Sequence, residues 1–143
     1  MFERIVTVSR SAPGLGLEAL HGIVREAHAR NPGAGLTGGL VLLDGWFAQL
    51  LEGPPAPLAF AFGRIRQDPR HQGLALRARE RALCRLFPGQ ALALRTRASL
   101  DAGLLEAFGY RPGFPVEDFP SDVLVEFLVG ACRREARPRR AAR

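Results

Sequence analysis

Two primary amides in this chain stand where an amide needs a reason. Gln49 lies inside the apolar run GWFAQLLEG (Gly45–Gly53). Strand side chains alternate faces, so Gln49 shares a side with Phe47 and Leu51, while Trp46, Ala48 and Leu50 take the other. An amide on that side points into a core and requires hydrogen-bond partners there, supplied by the fold or by a ligand. Asn31 closes an apolar-periodic stretch and, taken alone, reads as a polar residue ending a helix. Other constellations are thinner. His21, His28 and His71 are scattered, with no acidic or cysteine partner at ligand spacing, so no metal site is expected. No serine falls in a nucleophile elbow. GLTGGL lacks the lysine of a phosphate loop, and its glycines read as places where something packs close to the backbone. Asp44 and Glu52 flank the strand and read as a hairpin turn and a solvated strand end. These residues point to binding, and the chain is not expected to be an enzyme.

Composition sets the frame for those residues. The 143 residues are 47% hydrophobic and 24% charged, which suits one globular domain with its own core rather than a disordered chain. No apolar run approaches the ~18 residues of a membrane helix, and the amino terminus lacks the pattern of a secretion signal. Cys84 and Cys132 have no metal-ligand spacing and read as reduced thiols, so a cytoplasmic location is expected. Of the net charge of +6, +5 lies at one end. All twenty basic residues are arginine, and six lie in residues 133–143 (RREARPRRAAR), leaving fourteen against thirteen acids in the rest. A nearly neutral body gives no sign of a nucleic-acid surface. The tail reads as a solvated extension or as a contact for RNA, DNA or an acidic partner.

The elements that must position the amides follow from periodicity. RIVTVSR alternates and predicts a first strand over Glu3–Ser9. Leu17, Leu20, Ile23, Val24 and Ala27 have the spacing of an amphipathic helix from Leu17 to Arg30, and NPGAG should stop it. Two apolar runs joined by Asp44-Gly45 predict a hairpin. Leu58, Ala61, Phe62 and Ile65 mark a second helix over Ala56–Gln67. DPRHQG reads as a loop, LALRARERAL as a strand with an exposed face, and QALALR as a short strand. Leu124, Phe127, Leu128 and Ala131 mark a last helix, fit to cover the other sheet face or a partner chain. The order predicts an α+β, ferredoxin-like fold: a mostly antiparallel five-stranded sheet with two helices on one face, plus carboxy-terminal helices.

The combination of NPGAGLTGGLVLLDGWFAQLLEG, RIRQDPRH and RLFPGQALAL resembles the BLUF family, the flavin-binding blue-light sensor domain, over about residues 3–97. The resemblance implies FAD between the two helices, stacked on their apolar faces. Asn31 and Gln49 would hydrogen-bond its ring, Asp68, Arg70 and His71 would close over it, and Ser9 would lie near it. Leu92 stands where many members have methionine and Gln90 where tryptophan is frequent. Residues 1–97 would form the flavin-binding core, 98–135 a helical extension of the same domain, and 136–143 a basic tail. Short members of the family are often oligomeric, which implies a homo-oligomer through the carboxy-terminal helices and a downstream protein partner.

One departure bears on function. The family carries a first-strand tyrosine, two residues before the serine, that donates an electron and a proton to excited flavin; here that position is Thr7. An aliphatic alcohol is no practical electron donor. Tyr110 and Trp46 are the chain's single tyrosine and single tryptophan. Three readings stand: a flavin sensor with a lost or altered photocycle, a photoreceptor using Trp46 or Tyr110 as donor, and a cofactor-free interaction module.

Overall fold

The protein is described here by a computed structural model covering residues 1–112 and 116–132. The basic tail from position 133 onward lies outside the described residues. Strands β1 (Phe2–Ser11), β2 (Thr37–Leu43), β3 (Trp46–Gly53), β4 (His71–Ala82) and β5 (Ala93–Thr96) form one sheet in the order β4-β1-β3-β2-β5. All pairings are antiparallel except β2 with β5. Helices α1 (Leu17–Ala34) and α2 (Pro55–Arg66) pack on one face. On the other lie α3 (Ala102–Ala107), a 3-10 turn (Val116–Asp118) and α4 (Ser121–Cys132). This is the expected ferredoxin-like arrangement, with the last helix covering the second face. Among the described residues no helix is long and apolar enough to cross a membrane.

Alternation along the strands splits the core in two. Ile5, Leu40, Phe47 and Leu51 join Leu20, Leu58 and Ala61 under α1 and α2. Val6, Val8, Val41, Trp46, Ala48 and Leu50 join Leu124, Phe127 and Leu128 under α4. Gly39 permits the second layer: a Cβ there would stand 2.7 Å from the Phe87 ring.

Several boundaries differ from the sequence expectation. α1 does not stop at Asn31-Pro32 but runs to Ala34, with Pro32 inside it. The hydrogen bond Pro32 cannot donate is lost only in the final turn. The stop comes at Gly35, whose φ of 71° lets Leu36 N–H reach the Asn31 carbonyl at 2.9 Å and Gly35 N–H reach Pro32 at 3.2 Å, a glycine-terminated helix end. Leu17, expected in the buried stripe, is 69% exposed because it occupies the first turn. β4 begins at His71, inside the expected loop, and β5 begins only at Ala93. Glu52 is fully buried rather than solvated. Its carboxylate accepts the Leu86 and Phe87 backbone N–H groups at 2.8 and 2.7 Å and the Thr37 hydroxyl at 2.9 Å. That loop arrives from more than thirty residues away in sequence, so local pattern could not show it.

Candidate functional site

The first two helices do not close over the sheet completely. Between them lies a cavity of about 430 Å³. Helical spacing builds two of its walls: Ile23, Glu26, Ala27, Arg30 and Asn31 recur along one side of α1, and Ala61, Arg64, Ile65 and Asp68 continue from α2 into its loop. Gln49 and Leu51 of β3 form the floor, and Leu92 lies at one end. A smaller cavity of about 60 Å³ adjoins it, lined by Thr7, Ser9, Phe47, Gln49 and His71 among others, and it shares Ile23, Gln49, Ile65, Asp68 and Arg70 with the first. All eight residues singled out from the sequence, Thr7, Ser9, Asn31, Gln49, Asp68, Arg70, His71 and Leu92, line one or the other.

The polar groups divide into those tied down by the fold and those left facing the cavities. Asn31 is buried and its Nδ2 donates to the Ala91 carbonyl at 2.7 Å, which fixes the amide beside Leu92. His28 Nε2 donates to the Leu92 carbonyl at 3.3 Å. His71 Nε2 lies 2.5 Å from the Ile65 carbonyl, an acceptor only, so that nitrogen carries the proton. In the neutral ring Nδ1 then accepts from the Ser9 hydroxyl at 2.8 Å. Arg70 grips Asp68 through Nε at 2.9 Å and through its backbone N–H at 2.9 Å. Burial pushes the Asp68 carboxyl up, but these hydrogen bonds outweigh it and hold it below the usual carboxylate range. Gln49 and Thr7 are different. Among the described residues neither side chain makes a hydrogen bond to protein, although Thr7 is 4% exposed and Gln49 only partly so. They are direct partners in the β1–β3 ladder.

Sequence reasoning missed Glu26, Arg30 and Arg64. Their i+3 and i+7 spacing from Ile23 and i+3 spacing from Ala61 was the available signal, masked by their character as ordinary charged helix residues.

The two aromatic candidates for electron donation lie elsewhere. Trp46 packs in the core under α4, with the Arg10 guanidinium 4.2 Å from its ring centre. Tyr110 is in the same core, its hydroxyl donating to Asp44 at 2.7 Å. The sheet stands between both residues and the cavities.

The fold is thus an α+β sheet with a cavity between two helices, one amide on the α1 wall, a second on the floor, and an acid–arginine–histidine segment beside them. The chain belongs to the BLUF family, "sensors of blue-light using FAD", whose sequence profile matches residues 2–93. It is 38% identical over 65 residues to the photoactivated adenylate cyclase subunit alpha of Euglena gracilis, covering 46% of this chain and 6% of that one. The chain therefore spans a small fraction of the curated relatives it matches. Among solved structures it is similar to BlrB, a BLUF protein in its dark state (28% identity, TM-score 0.67, 74% of this chain and 82% of that one). It also shares its fold with photo-activated BlsA (22% identity, TM-score 0.82, 92% and 94%).

Proposed function

We propose that this protein binds FAD in the larger cavity and acts as a sensor domain without the usual tyrosine-driven photocycle, signalling through a partner or an oligomer. The observation that carries this reading is Gln49: a partly buried amide on an apolar strand, with no hydrogen bond to protein among the described residues, facing a cavity of about 430 Å³ that Asn31 also lines. An unbonded amide in that setting is costly unless something else satisfies it. The residues present suit a flavin. Ile23, Ala27, Leu51, Ile65 and Leu92 offer apolar surface to a flat ring, Asn31 and Gln49 offer donors and acceptors to its polar edge, and Arg30 and Arg64 offer cationic groups to phosphates.

FAD, when bound, supplies a blue-absorbing ring that accepts electrons. The chain's own residues orient it and limit its access to water. Thr7, opposite Gln49, gives a hydroxyl and no electron. Trp46 and Tyr110 are on the far face. What remains on the flavin side is a set of groups that respond to the ring's occupancy or redox state. For output, Asn31 bonds Ala91, and the neighbouring Gln90 amide donates to the Cys132 carbonyl at the end of α4 at 3.1 Å. Helices α3 and α4 are thus the natural surface for a partner or a second copy, and the arginine-rich sequence after α4 would favour an acidic one.

The test is titration of the purified protein with FAD. Retention of a stoichiometric, structured flavin spectrum supports the reading. Failure to bind FAD, FMN or riboflavin would make the domain a cofactor-free interaction module.

A further inference from the structure

One carboxylate lining the large cavity has no part in the flavin reading. Glu26, on the α1 wall, accepts two hydrogen bonds from the Arg70 guanidinium, at 2.9 Å and 3.2 Å. Arg70 also holds Asp68, but Asp68 is two residues away on the same loop, so that pair shapes the loop without tying it to a helix. Glu26 is the tie. Among the described residues, Glu26–Arg70 is the only hydrogen bond or ion pair between α1 and either α2 or the loop after it. The other α1 side chains bonded to protein, His28 and Asn31, reach the Ala91–Leu92 segment instead.

We propose that Glu26 is a positioning residue for cofactor retention, its ion pair with Arg70 forming a gate across the cavity that opens when flavin enters or leaves. The proposal rests on the flavin reading above. Its physical basis is the pair's modest strength. The side chains are 47% and 25% exposed, so the pair adds little to global stability and is screened by salt. Such a bond breaks readily and re-forms with good geometry, which a gate requires and a structural clamp does not. Removing the Glu26 charge leaves Arg70 bonded to Asp68, so the loop keeps its turn while losing its hold on α1.

The experiment loads wild type and Glu26→Gln with FAD and follows flavin release on dilution at low and high salt. The gate predicts release about two- to fivefold faster in the variant, the range expected for one exposed pair. It also predicts that salt accelerates release more steeply in wild type than in the variant, with thermal stability of the unloaded proteins unchanged. Equal release rates with equal salt dependence would overturn the gate and leave the flavin reading standing. Absence of FAD uptake by wild type would overturn that reading and the gate with it.

Discussion

Thr7 and Gln49 face each other across the β1–β3 ladder, and neither side chain bonds to protein among the described residues. Gln49 lines both cavities and Thr7 the smaller one. In the resembling family the residue at the Thr7 position is the tyrosine that drives the glutamine's rearrangement, so under the proposed function this one position would separate binding from light response.

Replacing Thr7 with tyrosine should therefore add function. The cavity of about 60 Å³ beside Thr7 accepts part of the ring, and the remaining crowding should cost about 1–3 kcal/mol of stability. Flavin-loaded Thr7→Tyr is expected to gain a reversible red shift under blue light that wild type lacks. A folded, flavin-loaded variant with no shift would show that more than the donor has been lost.

Gln49→Ala distinguishes ligand from fold as the amide's reason. Loss of a ligand hydrogen bond of about 1–1.5 kcal/mol weakens FAD binding roughly tenfold, while the melting temperature of the unloaded protein stays near that of wild type. A variant that instead melts well below wild type would mean the amide serves the scaffold.

Glu52 should behave in the opposite way. It is fully buried, takes three hydrogen bonds, and has Arg4 Nε 3.7 Å away. Glu52→Leu leaves the Leu86 and Phe87 N–H groups without their acceptor, and a loss of about 3–5 kcal/mol is expected in urea unfolding. A loss under 1 kcal/mol would mean that loop 83–87 is held by its apolar contacts alone.

Tyr110 gives a titration that can be read directly, because it is the chain's only tyrosine. Burial first, and then its hydrogen bond to Asp44, push its phenol above the ordinary value. The unfolded chain therefore ionises first, near pH 10, and the folded state loses stability as pH rises beyond that point. Phenolate absorbance of the native protein should appear above pH 10. Ionisation at or below pH 10 would mean that the Tyr110–Asp44 contact does not persist in solution.

How much of this was legible in the sequence depends on the range of each interaction. The hairpin at Asp44-Gly45, the two core faces and the eight cavity residues came from local periodicity or from family spacing. Trp46 facing away from Gln49 followed from alternation alone. What escaped was set by distant partners. Glu52 looked solvated because the loop that donates to it returns from residues 86 and 87. Asp44 looked like a plain turn residue, yet it also holds Arg97 at 2.8 Å and Tyr110 at 2.7 Å. The end of α1 was misplaced because a proline in the last turn costs a helix little, while Gly35 supplies the left-handed stop.

The measurement that bears most directly on the whole account is the visible absorption spectrum of the purified, FAD-loaded protein before and during blue light. The account predicts structured flavin bands that undergo no reversible red shift, with bleaching only when a reductant is supplied. A reversible red shift in the wild-type protein would contradict it, because Thr7 would then sit in a working photocycle with no aromatic donor on its side of the sheet.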